Sequence, residues 1–200
     1  MTRERFFCYN SRMAKKLLIG IDIQKDFVEG GMLPYGYPEE SNTKKVVDYI
    51  LECAKKKDES ICVLLTRDTH DSDFKTTLEG QLLFKHCIKG TEGWEFADYT
   101  DKDGSKIEWF CDEVILKKTF GTFRIVEWIK DFEETECETI DEIQIVGYDM
   151  AVCVLSNAVI LRSAFPNKKI VVLKDYCGCI DKETFDAAVT VLKCQQIEVI

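Results

Sequence analysis

The apolar and polar positions of this chain fall into two patterns: short runs that are apolar throughout, and longer stretches in which apolar residues recur at helical spacing. Leu17-Leu-Ile-Gly-Ile21 and Ile61-Cys-Val-Leu-Leu-Thr66 belong to the first kind, which suits strands buried on both faces of a parallel sheet. Residues 113–118, 143–146 and 169–174 read as three further strands and 197–200 as a closing one. Val46, Val47, Ile50, Leu51 and Ala54 mark a helix within 41–57, with Ser41 or Asn42 as its N-cap. Residues 122–132, 154–164 and 182–194 carry the remaining helices. Strands alternating with helices on short connections predict an α/β fold, a doubly wound and mainly parallel sheet of about six strands with helices on both faces. The stretch 71–113 breaks the pattern, with Gly80, Gly90, Gly93 and Gly104 and an acidic run over 98–103. A long irregular connection in a small domain is usually functional or disordered.

Composition narrows the class without changing the fold. Two hundred residues suit one domain, and 46% apolar with 32% charged residues excludes a disordered chain. A net charge of -9 disfavours nucleic acid and anionic membrane surfaces as partners, and no apolar run reaches the length of a membrane span. The ten cysteines are scattered, several in apolar runs (Cys53, Cys62, Cys87, Cys194), and their closest spacing is Cys177-Gly-Cys179. With no C-x-x-C pair, neither a zinc ribbon nor a thioredoxin motif is indicated, and free thiols in a reducing cytoplasm are expected. Residues 1–15, with Arg3, Arg5 and Arg12 around Phe6-Phe7, read as an N-terminal extension to a domain over 16–200, Met13 being an alternative start.

The candidate chemistry lies where strands end, because the carboxyl edge of an open parallel sheet is where ligands bind. Asp22 directly ends the first buried strand. Gly147 breaks the fourth, and Cys153 follows on the first turn of the next helix, where the helix N-terminus favours thiolate over thiol. Alternation along 113–118 places Lys117 and Lys118 on opposite faces, so one of the pair faces the crevice, and the reading assigns Lys118. A carboxylate, an ammonium and a thiol make a Cys-Asp-Lys triad suited to acyl transfer. Asp68, His70, Glu79 and His86 form a second set: the chain's two histidines fall in one window with two carboxylates. Mixed imidazole and carboxylate ligands suit a divalent metal, zinc first, with iron or manganese as alternatives.

In their order and spacing, Asp22-Ile-Gln-Lys-Asp-Phe27, Thr66-Arg-Asp-Thr-His70, His86-Cys-Ile-Lys-Gly-Thr91, Lys118 and the segment from Gly147 to Cys153 resemble the isochorismatase-like cysteine hydrolases, and within them the nicotinamidases, over residues 16–200. The resemblance implies Asp22 as general base, Lys118 as the thiolate-stabilising cation and Cys153 as nucleophile. It also implies a metal on Asp68, His70, His86 and Glu79, Phe27 packed on the substrate ring, and an oxyanion hole from the backbone N–H groups of Cys153 and Asp149 behind a cis Tyr148–Asp149 bond. Family members commonly form homo-oligomers. The chain departs from the family where Asp149-Met150-Ala151 precedes the nucleophile, and Phe74 lies near the position of a further histidine found in many nicotinamidases.

The implied activity is conversion of nicotinamide to nicotinate and ammonia in NAD salvage. A second reading is a related amide hydrolase on another small amide, its pocket reshaped around Asp149 and Leu83. A third is a non-catalytic ligand-binding or redox-sensing relative.

Overall fold

The computed structural model describes residues 14–38, 43–55, 60–97, 106–136 and 138–200. The first thirteen residues of the proposed extension, the proposed N-cap at 41–42 and the acidic run at 98–103 lie outside the described residues. Six strands form one sheet in the order β3-β2-β1-β4-β5-β6: β1 is Ala14–Ile21, β2 Ile61–Asp68, β3 Glu113–Lys117, β4 Thr139–Gly147, β5 Lys169–Cys177 and β6 Glu198–Val199. Every neighbouring pair is parallel, which requires a crossover between each pair and covers both faces.

Helices α1 (Thr43–Lys55), α3 (Arg124–Thr135), α4 (Leu155–Ala164) and α5 (Lys182–Cys194) supply those crossovers, with a short α2 (Leu78–Leu82) in the irregular region. Alternation along the strands sorts their side chains between two cores. Leu17, Ile19, Ile21, Leu64 and Ile143 pack with Ile125, Ile129, Leu161 and Leu192 on the face of α3, α4 and α5. Leu18, Val63, Leu65 and Val146 pack with Val46, Val47, Ile50 and Leu51 of α1 on the other. The sheet is therefore doubly wound. The strand order reverses between β1 and β4, so the loops after these two strands leave in opposite directions and open the crevice of such folds.

That crevice requires a close approach of two backbones. Gly147, at φ +122°, ends β4 against β1, and a Cβ there would lie 2.1 Å from the Ile21 carbonyl oxygen. Only glycine fits.

Candidate active site

Asp22 leaves β1 with φ +51°, a left-handed conformation that aspartate tolerates better than most residues. Its amide donates to the Thr66 carbonyl at the end of β2, and Thr66 Oγ1 donates to Asp22 Oδ1 at 2.7 Å. The carboxylate is thereby fixed with Oδ2 directed at Lys117 Nζ, 2.7 Å away. Lys117 Nζ also reaches Asp68 Oδ1 at 3.1 Å, the Thr119 carbonyl at 3.1 Å and Cys153 Sγ at 3.5 Å.

The expected lysine is corrected by this geometry. Lys117, and not Lys118, meets Asp22 and Cys153, because it shares with Ile115 the face of β3 that turns inward and lies in register with Asp68. Lys118 comes after the strand's last paired residue, where it is exposed and pairs with Asp71 at 2.6 Å.

Cys153 lies within a π-helical turn, Met150–Val154, that leads into α4. Asn157, one turn later and buried, donates from Nδ2 to the Cys153 and Phe120 carbonyls, while its Oδ1 accepts from the Thr122 amide. The turn that carries Cys153 is thus tied to the loop after β3. Tyr148–Asp149 is a cis peptide bond. The Asp149 carboxylate caps the turn by accepting from the Ala151 amide at 2.7 Å, so the acidic side chain is engaged by backbone.

Burial and mutual charge decide the protonation of this cluster. Burial pushes the Cys153 thiol well above its usual range; the Lys117 ammonium works against this, while the Asp22 and Asp68 carboxylates add to it. Burial also raises the Asp22 carboxyl, against the opposing pull of Lys117. Desolvation acts against the Lys117 ammonium, but Asp22, Cys153 and Asp68 outweigh it and hold the lysine charged. The resting arrangement is a thiol beside an ammonium–carboxylate pair. A basic carboxylate within a hydrogen bond of that thiol can take its proton once an electrophile arrives.

A second cluster adjoins the first through Asp68. Its ligand atoms, with those of His70, Glu79 and His86, all lie within 4.8 Å of one another. The loop forms because the His70 amide donates to the Cys87 carbonyl and the Lys89 amide to the His70 carbonyl, a strand-like pairing that brings the two histidines together. Thr77 caps α2 through the Gly80 amide and so places Glu79. His86 Nδ1 donates to the Phe84 carbonyl at 2.8 Å, which directs Nε2 at the other donors. Phe74 packs on both imidazoles, with ring centroids 4.3 Å from His70 and 5.1 Å from His86.

These residues fit a divalent cation. The buried Nε2 of His70 makes no hydrogen bond, although it lies 3.0 Å from Asp68 Oδ2, and the converging set is two imidazoles and two carboxylates. Desolvation opposes charge on His86, but the hydrogen bonds it donates to Asp68 and Glu79 prevail and hold its pKa up to about 9.

Both clusters open into a cavity of about 370 Å3 whose lining includes Cys153, Asp149, Glu79, His86, Phe27, Tyr35 and Leu83. Of the ten residues expected at the site, Phe27, Asp68, Glu79, Leu83, His86, Asp149 and Cys153 line this cavity, Asp22 and His70 stand behind them against Lys117 and Asp68, and Lys118 lies apart. Sequence reasoning missed Lys117 as the cation of this site, and it missed Gln24 and Asn157. Gln24 is fully buried; its Oε1 accepts from the Asp68 amide at 2.6 Å and its Nε2 donates to the Asp68 and Trp94 carbonyls at 2.9 Å each. Asp26 Oδ2 accepts from the Cys87 amide at 2.7 Å beside His86. Asn157 carried one usable signal, a polar residue four positions after Cys153 on a helix that is otherwise largely apolar.

The sequence pattern of the isochorismatase domain matches residues 16–200. No curated protein sequence gives a significant match. Among solved structures, the nicotinamidase/pyrazinamidase of Bacillus subtilis is similar at 25% identity and a TM-score of 0.73, over 92% of this chain and 98% of that one. The pyrazinamidase of Pyrococcus horikoshii, solved in complex with zinc, is similar at 22% identity and a TM-score of 0.70, over 93% and 98%. The yeast nicotinamidase bound to the inhibitor nicotinaldehyde gives 20% identity and a TM-score of 0.73, over 92% and 99%. With a family pattern that runs from the third residue of β1 to the last residue, the chain belongs to the isochorismatase family.

Proposed function

We propose that this protein is a metal-containing nicotinamidase that hydrolyses nicotinamide to nicotinate and ammonia. The observation that carries the reading is the meeting of Cys153, Lys117 and Asp22 at one buried point beside four converging metal donors. The structural relatives named for nicotinamidase and pyrazinamidase activity support it, as does the zinc complex of one of them for the choice of metal. Asp68, His70, Glu79 and His86 would hold the cation, which when bound supplies a Lewis acid that fixes a ring nitrogen.

Phe27, 3% exposed and packed 5.5 Å from His86, offers a face for the substrate ring. With the carboxamide carbon over Sγ, the thiol proton passes to Asp22 as the C–S bond forms and the carbonyl electron pair moves to oxygen. The backbone N–H groups of Cys153 and Asp149 receive that oxyanion, the amides of Met150, Ala151, Val152 and Val154 being already bonded to other oxygens. Asp22 returns the proton to the departing nitrogen, and ammonia leaves. Water then attacks the thioester, its proton going to Asp22, and the C–S bond breaks to give the acid and the thiol. Lys117 stays charged throughout and stabilises the sulfur whenever it is anionic.

The test is ammonia release from nicotinamide by the metal-loaded protein, with Cys153→Ala expected to lose at least about a thousandfold. Absence of ammonia from nicotinamide, with release from another small amide that still depends on Cys153, would move the assignment to a related amide hydrolase.

A further inference from the structure

The cavity does not end where a single ring would be held. Met32, Phe84, Phe120 and Ile180 also line it, and each is strongly exposed, at 54%, 68%, 42% and 65%. They come from four separate connections: after β1, after α2, after β3 and after β5. Four large apolar side chains from four loops, all turned to one opening, form an apolar collar continuous with the catalytic pocket. An exposed apolar patch joined to a concave site marks a binding surface. The collar carries no charge of its own.

We infer that the protein acts on aromatic carboxamides bearing an uncharged apolar substituent on the ring, directed away from the amide and covered by Met32, Phe84, Phe120 and Ile180. This rests on the amide-hydrolase reading above for the position of the scissile bond. The occupant follows from continuity: a substrate whose amide reaches Cys153 leaves through the collar, so whatever extends beyond its ring lies against these four side chains.

The experiment compares kcat/KM for nicotinamide with that for nicotinamides carrying methyl, propyl and phenyl groups at the one ring carbon adjacent neither to the ring nitrogen nor to the carboxamide-bearing carbon, on the metal-loaded full chain and on Phe84→Ser and Ile180→Ser. Each methylene that becomes buried is expected to raise the ratio of extended to plain substrate by up to about fourfold, and both variants to bring that ratio down toward one. Binding of the same amides to the metal-loaded Cys153→Ala protein is measured by calorimetry in parallel.

If nicotinamide is hydrolysed and the extended amides fare no better, the inference is overturned while the nicotinamidase reading stands. If the extended amides bind more tightly than nicotinamide and none is hydrolysed by the wild type, the inferred action on such amides is overturned together with the hydrolase reading, and the collar is a binding surface only. If no amide binds or reacts, both fall. A second copy of this chain is the rival occupant: should sedimentation show an oligomer that Phe84→Ser dissociates, with the substrate ratio unmoved, the collar is an interface between copies and the inference is overturned.

Discussion

The two polar clusters share Asp68 yet differ in how their buried charge is balanced. Around Cys153 the compensation is internal: the Lys117 ammonium faces the Asp22 carboxylate at 2.7 Å and Asp68 at 3.1 Å. Around His70 and His86 it is not, since two carboxylates and two imidazoles converge with no lysine or arginine among the four donors. Burying charge is tolerated only when it is paired or coordinates a metal. The first cluster is therefore balanced within the protein, and the second is where a bound cation would complete the balance. Asp68 belongs to both, one oxygen toward Lys117 and the other toward the histidines, and its carboxyl is held well below the usual range because Lys117 and the two histidines outweigh the burial that would raise it.

This difference is open to experiment, and the largest effect is expected at the internal pair. Lys117→Met leaves Asp22 and Asp68 without their shared cation, which should cost about 3–5 kcal/mol of stability by denaturant unfolding and about 10²- to 10³-fold in kcat/KM. Lys118→Met, one residue along and exposed, should leave both close to wild type; equal losses from the two variants would show that the charge balance is not local to Lys117. Removal of metal by a chelator should abolish most activity and lower the thermal midpoint. Adding zinc back at about a hundred times its Kd should restore about 2.7 kcal/mol. A midpoint indifferent to metal would mean that the donor cluster is balanced by protein alone.

A smaller effect is expected where charge meets backbone. Asp149→Ala removes the acceptor of the Ala151 amide at the turn that carries Cys153 and should cost about 0.5–2 kcal/mol, as loss of a helix cap does. The mildest test is kinetic. Because burial raises the Cys153 pKa well above its ordinary value, the thiol form dominates at neutral pH. Alkylation of Cys153 by iodoacetamide should therefore accelerate by about tenfold per pH unit from pH 7 to 9 rather than level off. A plateau below pH 8 would show that the Lys117 charge outweighs burial at the sulfur.

Of the expected elements, the helix over 182–194 falls where the structure has α5, Lys182–Cys194. The first strand is extended to Ala14–Ile21 and the fourth to Thr139–Gly147. Periodicity finds buried strands well because their apolar runs are continuous, and it loses their ends because lysines and glutamates at the sheet margin still make ladder hydrogen bonds. The irregular region defied such reading. Its order comes from the pairing of His70 with Cys87 and Lys89 and from the Asp26 carboxylate on the Cys87 amide, contacts between segments that no local pattern encodes.

By itself, the sequence determined the sheet, its parallel sense and the edge at which candidate chemistry gathers, and it singled out Asp22, Cys153 and the four donor side chains as candidates, because each of these follows from local pattern or from residue types that few structural roles explain. The tertiary structure alone decided between Lys117 and Lys118. The two differ by one step along a strand, alternation says only that they face opposite ways, and the inward face is fixed by the register of β3 on β2 that sets Lys117 beside Asp68. The same holds for Gln24, whose side chain binds both backbone groups of Asp68 from 44 residues away; only folding makes those partners neighbours.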